Sequence, residues 1–167
     1  MAKGSTRVLG IDPGLRLTGY GVVDLNDGAL EPTLVEAGVF RFDGKASIES
    51  RLVQLRQDLQ ELLDETRPDR MAVEKLFAHY NHPRTAILMG HARGVILMCG
   101  ASAGLDIEHL GATEVKKSLT GHGHATKAQM QLSVQAQCRL AEPPSPPDVA
   151  DAIAIALCCA RRLAGRG

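Results

Sequence analysis

Residues 9–23 read LGIDPGLRLTGYGVV. An apolar run ends in Asp12, Pro13 and Gly14 break it, and a second β-prone run begins near Gly19. Apolar runs bounded by Gly and Pro predict two strands joined by a turn, here over 6–12 and 19–25. TLVEAGVFRF predicts a third strand over 33–42, and DLNDG at 24–28 supplies the turn before it. Three strands with short connections predict an antiparallel meander. Asp12 thus stands at a strand end, a place that suits an Asx turn as well as it suits chemistry.

Beyond residue 42 the period changes. Ile48, Leu52, Leu55, Leu59 and Leu62 recur every three or four residues and predict an amphipathic helix, which Pro68 stops. RMAVEKL at 70–76 predicts a short buried strand. The helical crossover makes it parallel to the first. Helix is expected from Pro83 to Ala103, strand over 105–110, and helix over 112–119 and 126–140. AEPPSPP at 141–147 is a rigid loop, and Pro147 suits the start of a last helix over 148–163, apolar on nearly all sides. The order implies one α/β layer fold with a mixed sheet, and 167 residues suit a single domain over 1–167.

Lys+Arg and Asp+Glu balance at 19 each, so net charge says nothing about partners. Their distribution does. Between Glu74 and Glu142 lie seven basic residues, three acids and all six histidines, which points to a groove that attracts an anion. Four cysteines (99, 138, 158, 159) lack CxxC spacing and read as thiols in a reducing compartment; a cytoplasmic location is expected. The N-terminus shows no signal-peptide pattern. The most apolar stretch, AILMGHARGVILMCGASAG, carries Arg93 mid-run. An arginine at a bilayer centre costs roughly 2.5–3.5 kcal/mol on insertion scales, so a buried helix of a soluble protein is expected.

Four acids stand where a core is expected: Asp12, Glu74 at the end of the 70–76 strand, and Asp148 and Asp151 in PDVADAIAIALC. Taken singly, Glu74 suits a solvated strand end and Asp148 an N-cap. Asp151 is harder to place, because Ile155 and Cys158 share its helix face. A buried carboxylate without a partner costs several kcal/mol or neutralises. A divalent cation resolves that conflict, and an all-carboxylate set favours Mg²⁺ or Mn²⁺. Two such ions about 3.5–4 Å apart would clamp a scissile phosphate.

GIDPGLRLTGYGVV, VEKLF, GHARG, EVKKSLTGHGHATKAQMQ and PDVADAIAIALC occur in that order. Together they resemble the RuvC family of Holliday-junction resolvases, within the RNase H-like superfamily, from about residue 7 to 161. The resemblance implies a mixed five-stranded sheet flanked by helices. It implies a homodimeric endonuclease that nicks two strands of a four-way DNA junction symmetrically, alongside the RuvA–RuvB branch-migration complex, in recombination and repair. It implies Asp12, Glu74, Asp148 and Asp151 as catalytic, metal-binding acids, with two Mg²⁺ or Mn²⁺ ions per site. Lys116 and Lys127 match positions that contact the DNA backbone. Phe77 matches an aromatic that stacks on an exposed base, with Tyr80 as its companion; packing in the core is the alternative for Phe77. The 77–85 loop departs from the family pattern by one extra residue and by His79-Tyr80, and GHARG carries His91 where glutamine is common.

Three further expectations belong to this reading. Gly14, Gly19 and Gly21 are expected to let backbone and DNA approach closely. Gly121 and Gly123 precede a helix whose free N–H groups suit phosphate. The 83–103 helix, with Ala86, Gly90 and Gly94 in a stripe, is expected to be buried on two sides, by the sheet and by the same helix of a twin subunit. His122 and His124 lack the cysteine partners of a zinc site. A sugar-kinase or actin-like ATPase, whose strand turn GIDPG resembles, needs two duplicated halves. An RNase H-like pre-rRNA processing factor is the nearer rival.

Overall fold

A computed structural model describes residues 4–77 and 81–165. Five strands, β1 (Ser5–Asp12), β2 (Leu17–Asn26), β3 (Thr33–Arg41), β4 (Arg70–Glu74) and β5 (Asp106–Leu110), form one mixed sheet. Its order is β3-β2-β1-β4-β5. β1, β2 and β3 make the expected meander, and β4 and β5 add in parallel.

Alternation along the strands divides the core in two. Leu9, Ile11, Val22, Met71 and Val73 face α1 (Ile48–Thr66) and α2 (Pro83–Ser102). Val8, Val23, Leu25, Ala72 and Leu110 face α5 (Pro147–Ala164), supported by α3 (Ala112–Thr120) and α4 (Lys127–Gln137). α1 starts where Ser47 accepts a hydrogen bond from the Ser50 N–H, and it stops at Arg67 in the left-handed region, one residue before Pro68. α4 ends earlier than its pattern predicts, because Arg139 turns the chain at φ 54°.

The glycines of β1 and β2 admit a close backbone approach. A Cβ on Gly10 would stand 2.4 Å from the Ala152 carbonyl oxygen, one on Gly21 2.8 Å from Ile153 Cα, and one on Gly19 2.1 Å from the Asp148 carbonyl oxygen. Gly19 and Gly21 therefore let the main chain of α5 approach the sheet closely. Gly14 belongs to its own turn, with a Cβ there 2.1 Å from the Leu17 carbonyl oxygen.

α2 meets the sheet on one side, as expected. Ala92, Ile96, Cys99 and Gly100 are buried against the sheet side, but Ile87 and Met98 are 62% and 52% exposed. One face of α2 is covered within the chain and the other is open. By length and composition α2 is apolar enough to cross a membrane, yet its inner face packs on this core and Arg93 stands mid-helix.

Candidate active site

The parallel register Ile11↔Val73 sets the ends of β1 and β4 side by side. Alternation then points Asp12, with Val8 and Gly10, and Glu74, with Ala72, to the α5 face of the sheet. On the other flank Asp12 pairs with Gly19, and the Asp148 main chain lies directly over Gly19. The first turn of α5 thus covers the strand end that carries Asp12. Asp148 is not an N-cap: that place belongs to Pro146, and Pro147 opens the helix. Asp148 sits in the first turn and Asp151 one turn later, at the positive end of the helix dipole, which favours carboxylates. The turn after Asp12 is pinned by Thr18, which is fully buried. Its hydroxyl donates to the Gly14 carbonyl at 2.7 Å and accepts from the Gly14 N–H at 3.2 Å.

Asp12 feels the other three acids, Glu74 feels Asp12 and Asp151, and Asp151 feels Asp148. Burial pushes the Asp12 carboxyl well above the usual carboxylate range, and Glu74, Asp151 and Asp148 push it further, with Lys127 opposing. Burial and then Asp151 raise Glu74, while Lys116 and a hydrogen bond from the Asp12 carboxyl hold it back. Burial raises Asp151, Asp148 adds to this, and Lys127 and Lys116 oppose it. Three carboxyls raised together by burial and mutual repulsion make a site that favours positive charge.

α3 and α4 bring that charge. Lys116, on α3, and Lys127, the first residue of α4, line a narrow cleft of about 140 Å³ with Glu74, Asp151 and Ile155. Lys117 points to a different cavity, beside Phe77 and Arg162. The N-terminus of α4 is less open to phosphate than its glycines predict. Thr126 and Gln129 close a capping box there, with Thr126 Oγ1 accepting from the Gln129 N–H and Gln129 Oε1 accepting from the Thr126 N–H. Gly121 ends α3 at φ 78° instead.

Phe77 is 62% exposed, which rules out the core reading. It stands between two cavities, one against α3 and one against α2 beside Glu74. Tyr80 lies outside the described residues. Sequence reasoning assigned no role to Arg93 or His109. Arg93 Nε donates to the Glu74 main-chain carbonyl at 3.1 Å, and its guanidinium also reaches His109 Nδ1. Burial, then Arg93 and Lys75, lower the pKa of His109. An arginine inside an apolar helix was the available signal, since a partly buried cation seeks hydrogen-bond partners.

The donor set fits a hard divalent ion, because it offers carboxylate oxygen and no sulfur or imidazole. Among the described residues no group of three or more His, Cys, Asp or Glu side chains is gathered closely enough to hold a metal ion.

The family model for crossover junction endodeoxyribonuclease RuvC matches residues 8–159. A crossover junction endodeoxyribonuclease RuvC of Rhodopirellula baltica is 50% identical over 151 residues, 90% of this chain and 84% of that one. Thermus thermophilus RuvC, in complex with a Holliday junction substrate, superposes with a TM-score of 0.87 at 35% identity, over 96% of both chains. The yeast mitochondrial Holliday junction resolvase Ydc2 shares the fold, with a TM-score of 0.67 at 14% identity.

Proposed function

Because the chain belongs to the RuvC family of crossover junction endodeoxyribonucleases, we propose that Asp12, Glu74, Asp148 and Asp151 are the acids with which it cuts DNA. The protein is a metal-dependent endodeoxyribonuclease that resolves four-way (Holliday) junctions in recombination and repair. The observation that carries the site assignment is the convergence of the four acids at one sheet end beside Lys116 and Lys127. We take residues 1–167 to work as one nuclease domain in the cytoplasm, with the RuvA–RuvB complex as the partner that migrates the junction.

The four carboxylates would hold Mg²⁺ or Mn²⁺, two ions per site. Bound there, the ions supply Lewis-acid polarisation of the phosphate and a more acidic water. Lys116 and Lys127 offset the charge that builds on the scissile phosphate as its geometry becomes five-coordinate. Phe77 offers an exposed ring on which an unpaired base stacks at the crossover, with Tyr80 sharing that part. Two copies joined through the open face of α2 present two such sites to the two-fold junction.

The test is strand-resolved cleavage of a synthetic four-way junction in Mg²⁺ or Mn²⁺. Paired, symmetric, ligatable nicks are expected, with loss of at least about 100-fold in Asp12→Asn while junction binding persists. An Asp12→Asn protein, free of contaminating nuclease, that still cuts overturns the site assignment. Preference for a structured RNA over the junction would favour the RNA-processing reading instead.

A further inference from the structure

Arg93 is the sole Lys, Arg, Asp or Glu between Arg84 and Asp106, in the middle of an otherwise apolar helix. Holding a cation there needs compensating hydrogen bonds. Both acceptors that the structure gives it lie at the end of the sheet that carries the site. Nε donates to the Glu74 carbonyl at 3.1 Å, and the guanidinium reaches His109 Nδ1. His109 lies opposite Val73 in the β4–β5 ladder, one residue before the pair Glu74↔Leu110. Glu74 is the last residue of β4, and its neighbouring strand ends at Asp12 followed by Pro13, which has no N–H to give. On the β1 side the ladder thus stops short of Glu74, while on the β5 side the Lys75 N–H donates to the Leu110 carbonyl at 2.7 Å; the Arg93 bond to the Glu74 carbonyl is a second tie on this main chain.

We propose that Arg93 and His109 are positioning residues for the cleavage reaction: they clamp the main chain of Glu74 and so fix the direction of its carboxylate toward the bound metal. Neither residue touches the substrate in this reading, which rests on the assignment of Glu74 as a metal-binding acid. The planar guanidinium serves both acceptors at once, which a lysine ammonium does not reproduce. His109 accepts at Nδ1, so its proton sits on Nε2.

The experiment compares full-length wild type with Arg93→Ala, Arg93→Lys, His109→Leu and His109→Gln. Junction affinity is measured in EDTA, Mn²⁺ binding to the protein–junction complex by electron paramagnetic resonance, and single-turnover cleavage at saturating junction. Arg93→Ala is expected to leave the junction Kd within about twofold, while Mn²⁺ affinity and the cleavage rate fall about 10- to 100-fold. Arg93→Lys is expected to recover only part of that loss. Glutamine keeps an acceptor where leucine does not, so His109→Gln is expected to retain more rate than His109→Leu. Unchanged Mn²⁺ affinity and rate in Arg93→Ala overturn the proposal, as does a loss of rate that only follows a loss of junction binding. If Arg93→Ala does not fold, the two His109 variants decide: equal rates overturn it, and glutamine above leucine supports it. Glu74→Gln is the control, because cleavage that survives it fails the site assignment itself and not the clamp.

Discussion

Asp12 shows how one residue acquires chemistry from its neighbours. Alone it ends a strand before Pro-Gly; in the fold, burial and three further acids raise its pKa. A carboxyl raised in the folded state leaves stability intact below its unfolded value and removes it as pH rises through the folded value. Without metal, Asp12 is therefore expected to cost stability near neutral pH, and Asp12→Asn to melt higher than wild type in EDTA at pH 7.5. The gain should shrink as the pH falls toward the ordinary carboxylate range. Each kcal/mol relieved corresponds to roughly 2–4 °C for a chain of this size. Added Mn²⁺ should reverse the order, because only wild type keeps the full ligand set. Scanning calorimetry with and without Mn²⁺ checks this; an asparagine variant that melts lower in EDTA contradicts it. Because Glu74 and Asp151 are raised as well, protons compete with the metal at higher pH than for ordinary carboxylates. Titration calorimetry should therefore show Mn²⁺ affinity weakening as pH falls, before the usual carboxylate range is reached. The acids were legible in sequence because carboxylates at apolar strand ends and on an apolar helix face break the pattern of a core. The Arg93–His109 clamp was not, because two residues 16 apart meet only once β4, β5 and α2 are assembled.

At the scale of elements, the site depends on how closely α5 lies on the sheet. The strands were legible from their period, and α5 from its unbroken apolar run. The meaning of the glycines was not, because a sequence shows a missing side chain but not what takes its place. Gly19→Ala tests it. Its Cβ would meet the Asp148 carbonyl oxygen, so the first turn of α5 must move and carry Asp148 and Asp151 with it. Overpacking of this kind typically costs about 1–3 kcal/mol, and urea unfolding should show it together with lost cleavage. Gly94→Ala is the contrasting case. Nothing lies within 4 Å of a Cβ there, so alanine should stabilise α2 by up to about 1 kcal/mol in the monomer. α3 and α4 contribute through their lysines. Lys127→Met should weaken junction binding evenly across sequences and lower the salt slope of binding by about one. A filter-binding series over NaCl concentration measures it; an unchanged slope would remove Lys127 from the DNA contact.

At the scale of the molecule, one chain holds one site, while resolving a junction requires a cut in each of two strands. A second copy supplies the second site most simply through a two-fold axis, since the junction has one as well. α2 is the surface that fits. Ile87, His91, Gly94 and Met98 follow one another along its exposed face, and apolar side chains left open at that length mark an interaction surface. Its opposite face packs on the core and carries Arg93 to the Glu74 main chain, so a partner seated on α2 lies one helix away from the acids. Met98→Glu places a charge at the C-terminal end of the proposed contact without touching the core, and burying an unpaired carboxylate there costs several kcal/mol. Sedimentation should show wild type as a dimer and Met98→Glu as a monomer at the same concentration. On a supercoiled plasmid with an extruded cruciform, wild type should cut both strands within one binding event and release linear DNA. The variant, with intact acids, should nick one strand, relax the cruciform and leave an open circle. Linear product from a protein that sediments as a monomer would show that the second cut does not need a second copy docked on α2.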